Sequence, residues 1–531
     1  MKFSRNRATL RIAIIGGGFG GIGIGVLLKK AGIHSFEIFE KSANIGGVWW
    51  DNRYPGAEVD TPSVMYSYSF EPYRWSRTHV RQAELLEYME YVAEKHDLMG
   101  HVRLNTKVER ADWSDKAQQY TVTFGDGSMR EFEIVISAVG LLSDPRYPTW
   151  PGLDSFEGEK FHTSRWDSSV DLTGKRVAVV GTGSTAVQVV PNIAPIAGKV
   201  TLFQREPGWV LPKGAQTFGP AEREALNDPI AQKLVRWGML IQREKFQYRN
   251  AAWRPGTPEN AASERAAREY IARVFAERPD LANLVTPSYP FGGKRPILTD
   301  DFYPALLRDN VELVPYAVDS VTPDGLVDMS GTHHEIDVLV MSTGFKSSFA
   351  STFDVTGHNG IDLHTTWAGD DKAFLGIMVP SFPNFYMLYG PNTNGGAIVT
   401  HLEEQIRYVV AAIKHQMRNG YSALYVDEAI TEAYNVILQN RLKGTSFDGV
   451  NNYYASANGR IITQWSDGAI VYALATRLLR RIAWRGKRVV RSSVKQPIVL
   501  PVDREYQQPD VATTPQHADA DLQKIIQASE V

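Results

Sequence analysis

Two glycine-punctuated stretches close on residues of opposite charge, and each ending is a place where chemistry can be done. In "RIAIIGGGFGGIGIGVLLKKAGIHSFEIFEKS" an apolar strand runs into Gly16, Gly18 and Gly21 at GxGxxG spacing. A helix follows, and a second strand closes on Glu40. One glycine makes the tight turn, the next lets backbone approach a pyrophosphate, and the third lets helix and strand pack closely. The pyrophosphate then lies at a helix N-terminus, where open N–H groups and the dipole favour an anion, and the terminal carboxylate accepts from ribose hydroxyls. The pattern repeats in "KRVAVVGTGSTAVQVVPNIAPIAGKVTLFQREPGWVLP". Gly181 and Gly183 hold the first two places, Ala186 the third, and the second strand closes on Arg205. A guanidinium there pairs with a 2′-phosphate that a carboxylate would repel. The acid-ended loop suits FAD, the arginine-ended loop suits NADPH, and hydride transfer from NADPH to flavin is the chemistry that joins them.

A second constellation bears on where the electrons go. "GGVWWDNRYPGAEVD" places Gly46 and Gly47 for close backbone approach, Trp49 and Tyr54 for packing on ring systems, and a Pro55–Gly56 turn ahead of Asp60. The ordinary role of such aromatics is core packing. An acid beside a flavin is costly unless it is paired. "FGGKRPILTDDFY" offers two cations: we assign Lys294 to the 2′-phosphate with Arg205, and Arg295 to Asp60. The plainer alternative is a solvated basic pair. The chain has no cysteine, which removes disulfide-reductase chemistry, iron–sulfur clusters and thiolate metal sites. His162 in "FEGEKFHTSRWD" has no second histidine or carboxylate at ligand spacing, so no metal site is expected.

These segments together resemble the Baeyer–Villiger monooxygenases, the ketone-oxidising class B flavoprotein monooxygenases. Phe156, Gly158, His162, Trp166 and Asp167 match the family fingerprint FxGxxxHxxxW(P/D). Gly46, Gly47, Trp49, Tyr54, Pro55, Gly56 and Asp60 match the longer signature (A/G)GxWxxxx(F/Y)PGxxxD. The similarity covers roughly residues 10 to 465. It implies an enzyme that uses FAD, NADPH and dioxygen to insert one oxygen atom beside a ketone carbonyl through a peroxyflavin, giving an ester or lactone. Arg295 is the implied catalytic arginine and Asp60 its partner acid. The implied flavin-side residues are Gly16, Gly18, Phe19, Gly21, Glu40, Lys41, Gly47, Val48, Trp49, Asp60, Tyr66 and Val108. On the nicotinamide side they are Gly181, Thr182, Gly183, Ser184, Thr185, Gln188, Gln204, Arg205, Lys294, Thr343 and Gly344. The fingerprint is implied to couple the two cofactor domains. Where relatives carry a Trp-bearing loop by the substrate, Phe447, Asn452 and Tyr453 stand here. Oxidation of sulfur or nitrogen is the alternative within flavin monooxygenases, and an uncoupled NADPH oxidase the alternative beyond them. Relatives that oxidise sulfur or nitrogen lack the Trp–Asp ending.

The elements that must position these residues follow. The expected fold class is α/β, with two Rossmann-like dinucleotide-binding domains and a helical insertion. The FAD domain takes residues 1–150 and 349–500, and the NADPH domain 151–212 and 293–348. The insertion takes 213–292, where "NAASERAAREYIARVFAE" has helical spacing. A tail follows at 501–531. Residues 100–140 read as strands with a "GDGS" hairpin turn, and "THLEEQIRYVVAAIKHQM" as a helix. At 531 residues with 43% hydrophobic content the chain can bury two or three cores. A net charge of −2 points to no nucleic acid partner. No apolar run reaches membrane-spanning length, and a cytoplasmic setting is expected. The basic run after Asp467 reads as a solvated helix, with docking on anionic lipid as the alternative.

Overall fold

The computed structural model describes residues 10–488 except 227, 347, 348, 350, 351, 450 and 451, and only the backbone at 246–250. The tail expected at 501–531 and the basic residues beyond 488 lie outside the described residues. The described residues belong to one compact unit.

Two five-stranded parallel sheets carry the two glycine loops. In the first the order is Phe385–Met387, Ile134–Ser137, Ile12–Ile15, Phe36–Phe39, Val102–Arg103. The central strand reads "IAII" and is buried along its whole length, as a parallel strand covered on both faces demands. The helix Phe19–Lys30 crosses over it, and glycines let a second helix come close. A Cβ at Gly23 would stand 2.8 Å from both Ile406 and Tyr68. Ile406 lies on the 22-residue helix Ile398–Asn419, which ends at Gly420 in the left-handed region, φ +63°. The edge strand Phe385–Met387 shows that the chain does return to the first sheet. The expected hairpin is the turn between Gln119–Phe124 and Met129–Phe132, with Ser128 N donating to Asp126 at 2.9 Å.

In the second sheet the order is Val311–Val314, Lys199–Phe203, Arg176–Val180, Val338–Met341, Glu159–His162. The fingerprint supplies its edge strand. Between these strands the chain forms the helices Pro220–Ala225, Pro229–Gln247, Pro258–Val274 and Pro279–Val285. Each opens on proline, whose fixed φ suits a first helical turn.

The basic C-terminal run departs from the solvated helix expected for it. Its helix stops at Ala483, and Trp484–Lys487 becomes a strand antiparallel to Ala423–Val426. Trp484 Nε1 donates to Tyr408 Oη at 2.6 Å, and Gly486 lies so close to the Tyr421 ring that a Cβ there would stand 2.3 Å away. Two of its arginines are committed: Arg477 pairs with Glu404 at 3.0 Å and Arg485 with Asp427 at 3.1 Å. Among the described residues no helix is long and apolar enough to cross a membrane.

Candidate active site

The first loop is built tightly. Gly16 has φ +108°, and a Cβ on it would fall 2.6 Å from Ala138 O. A Cβ on Gly21 would fall 1.9 Å from Gly16 O. The helix Phe19–Lys30 starts with no side-chain cap, so the N–H groups of its first turn face outward as an anion site. Glu40 is buried, its carboxylate accepting from Gly17 N at 2.7 Å and Ser42 N at 2.8 Å. It holds the loop while lining a cavity of about 470 Å3. Gly16, Gly18, Phe19, Lys41, Gly47, Val48, Trp49, Tyr66 and Val108 line the same cavity. Gly21 is packed against Gly16 O and does not itself line the cavity. Trp49 Nε1 is buried there with no partner, an orphaned donor that a cofactor carbonyl or phosphate would satisfy. Uncapped helix, glycine cradle and orphaned donor fit a flavin dinucleotide.

Asp60 and Arg295, 235 residues apart, meet at this cavity in a hydrogen-bonded ion pair. Asp60 follows the YPG turn, and Arg295 stands just before the strand Ile297–Leu298. Asn452 Nδ2 donates to Gly293 O at 2.7 Å and so clasps the turn that carries the arginine. Burial pushes Asp60 upward, but Arg295, Arg243 and Lys213 outweigh it and hold the carboxyl below its ordinary value. Arg295 is raised, by Asp60 first and against the opposing cost of burial. The result is a cation fixed in place by an acid, with 42% of its side chain still open. Of the three residues expected in place of a tryptophan loop, Tyr453 acts electrostatically on Arg295. Phe447 is instead buried against Trp253 and Tyr454.

The second loop meets the same cavity from the other sheet. Gly181 has φ +114°, and its Cβ would fall 2.5 Å from Ser342 O, whereas Gly183 has no neighbour within 4 Å. Ser184, Thr185 and Gln188 line the cavity, and the helix Ala186–Ile193 has no side-chain cap. Gln188 joins the halves: Tyr54 Oη donates to its Oε1 at 3.0 Å, and its Nε2 donates to Glu58 O at 2.9 Å. Gly56 is pressed onto the same helix, where a Cβ would fall 2.6 Å from Gln188 O. Arg205 stands exposed beyond the strand Lys199–Phe203. Lys294 pairs with Glu206, next in the chain, and Thr182 Oγ1 donates to Glu206 O at 3.0 Å. Gln204 turns inward, its Nε2 donating to Leu284 O at 2.8 Å. Among the described residues no cluster of three metal-ligating side chains occurs.

Comparison with known proteins reaches the same place. The family model for flavin-binding monooxygenase-like proteins matches residues 9–224. A Baeyer–Villiger monooxygenase of Streptomyces coelicolor is 35% identical over 475 residues, covering 88% of this chain and 91% of that one. The chain belongs to the Baeyer–Villiger monooxygenases. Among solved structures it resembles an oxidised steroid monooxygenase bound to NADP, with a TM-score of 0.82 and 27% identity over 91% of this chain and 100% of that one. It also resembles OTEMO in complex with FAD and NADP, with a TM-score of 0.81 and 26% identity over 90% and 99%.

In this Baeyer–Villiger monooxygenase the fingerprint lies where the chain crosses between its two sheets. His162 is fully buried. Its Nε2 lies 3.0 Å from Gly344 O and must donate, because a carbonyl only accepts, and its Nδ1 accepts from Ser164 N at 3.1 Å. Burial lowers its pKa, in keeping with a neutral ring. Gly344 O also accepts from Arg146 N at 2.9 Å, and Thr343 Oγ1 donates to Arg146 O at 2.6 Å. His162 thus clamps the outgoing and returning crossovers together. Phe156 is buried beneath the second sheet, and a Cβ at Gly158 would fall 2.4 Å from Asp337 O. Trp166 packs edge-on against Phe161 with centroids 4.9 Å apart, and Asp167 caps its own turn through Ser169 N at 2.9 Å. Arg165 reaches Asp51 of the first domain at 3.6 Å. Arg243, which sequence reading passed over, lies on the inner face of Pro229–Gln247. The available signal was its seven-residue spacing from Arg236 in a helix otherwise rich in apolar residues.

Proposed function

We propose that residues 1–150 and 349–500 hold FAD, that 151–212 and 293–348 hold NADPH, and that Arg295 with Asp60 forms the catalytic pair of a ketone-to-ester oxidation. The observation that carries this reading is the Asp60–Arg295 pair at a cavity lined from both glycine loops. When bound, the flavin reduced by NADPH supplies the dioxygen-activating chemistry. One oxygen atom enters the ketone beside its carbonyl, and the other leaves as water. The chain's own part is electrostatic. Arg295 stays protonated throughout, and Asp60 fixes its position. The guanidinium therefore stabilises negative charge that develops on the ketone oxygen without reorganising at that moment. Tyr66, Tyr389 and Tyr454 lie close enough to act electrostatically on Arg295. Glu40 accepts from a ribose hydroxyl, and Arg205 with Lys294 receives the 2′-phosphate, with Thr343 and Gly344 at the strand end beside it.

The test is to follow NADPH consumption by the purified flavoprotein with cyclic, aromatic and linear ketones while measuring ester and hydrogen peroxide. NADPH use matched by ester supports the reading; use balanced wholly by peroxide, or oxidation of sulfides alone, overturns it. Arg295→Ala should keep NADPH-driven flavin reduction and lose ester formation by several orders of magnitude. Ketone turnover at the wild-type rate would remove Arg295 from the catalytic role.

A further inference from the structure

The insertion helix Pro229–Gln247 puts a second arginine at this site. Its inner face is nailed to the first domain at two points. Arg236 Nη1 donates to Val64 O and Ser67 O, both at 2.7 Å, on either side of the cavity-lining Tyr66. Glu244 accepts from Ile470 N at 3.2 Å. Arg243 lies between these anchors, two turns beyond Arg236 and on the same face. It interacts electrostatically with Asp60, Arg295 and His401.

Arg243 has no ion pair and no hydrogen bond among the described residues. Asp60, the acid it feels, is already hydrogen-bonded to Arg295. Nearby Lys213 shares Glu58 with Arg77. Burial pulls Arg243 below its ordinary value, and Asp60 only partly offsets this. His401 does not supply the missing anion. It is buried, neither ring nitrogen has a hydrogen-bond partner, and burial holds its pKa down at about 4, so it adds no charge. Its Nε2 lies just behind Gly395, where a Cβ would stand 3.2 Å away, between the cavity-lining Asn394 and Gly396. The cluster therefore holds two guanidinium groups and one carboxylate. Arg243 is half-buried, and a guanidinium so placed with no anion beside it is a ready partner for an anionic ligand.

We propose that Arg243 binds a carboxylate carried by the ketone substrate, so that the enzyme acts on oxo acids. A guanidinium takes a carboxylate in a two-bond fork. Arg295 then faces the carbonyl end and Arg243 the acid end of one molecule. This inference rests on the ketone-oxidising reading above.

The experiment uses the full-length holoenzyme with a series of oxo acids of increasing chain length, each beside its own methyl ester. Wild type should favour the best acid over its ester by about tenfold or more in kcat/KM, the size expected of a hydrogen bond to a charged group. In Arg243→Leu that ratio should collapse to about one through a raised KM, and Arg243→Lys should restore part of it. Melting curves give a second readout: the acid, and not its ester, should raise the melting temperature of wild type, and Arg243→Gln should lose that shift. Acids no better than esters in wild type, or acids and esters falling in equal proportion in Arg243→Leu, overturn the proposal and leave the ketone-oxidising reading standing. No ester product from any member of the series overturns both.

Discussion

The two nucleotide loops share a sequence pattern and differ in how closely the fold shuts on them. At the third glycine position the first loop has 1.9 Å between a hypothetical Cβ and Gly16 O, while the second loop carries Ala186 there, fully buried and accommodated. At the second position Gly183 faces open space. The charged ending of the first loop, Glu40, is buried and bonded to two backbone N–H groups. That of the second, Arg205, is exposed. A loop locked into the core suits a cofactor that stays, and an open loop with a solvated cation suits one that comes and goes each turnover.

The sharpest way to break this contrast is to add side chains at matched positions. Gly21→Val should give little soluble, flavin-bearing protein, because the new atoms fall on backbone that cannot move away. Gly183→Ala should fold, keep its yellow colour and show only a modestly raised KM for NADPH. Equal damage at both positions, read by flavin content and melting temperature, would dissolve the distinction. A smaller effect is expected at the open end. Arg205→Ala should raise the KM for NADPH by about tenfold or more and change NADH little, since only NADPH carries the 2′-phosphate. Equal weakening toward both would remove the phosphate assignment.

The smallest effect concerns pH. Burial lowers both His79 and His401 from 6.5 to about 4. Each is neutral when folded and takes up a proton near 6.5 when unfolded. The stability they contribute is therefore fully present above about 6.5 and is lost as pH falls toward 4. The melting temperature should decline across that window, and His401→Leu should make the decline shallower. A slope identical to wild type would show that His401 contributes nothing to it.

Much of this was legible in the sequence because it is local. Gly16 and Gly181 declare themselves through backbone that only glycine adopts readily, and "IAII" and "RVAVV" through unbroken apolar runs. The motif spacing named both loops and the fingerprint. Pairing Asp60 with Arg295 rests, in the sequence, on complementary charge and on the family resemblance, since nothing local brings together residues 235 apart. The basic run after Asp467 misled because charge predicts solvation, while the contacts of Trp484 and Gly486 with Tyr408 and Tyr421 decide for a strand.

By itself, then, the sequence determined the two loops, their opposite charged ends and the α/β class, because each depends on φ, periodicity and residue type within some thirty neighbours. Tertiary structure alone decided four things. Gln188 ties the domains through Tyr54 and Glu58, His162 clamps Gly344, Gln204 turns inward, and Arg243 is left without an acid. Each is a partner choice between elements far apart in the chain, set by packing across the two sheets and the insertion, and no local pattern records it.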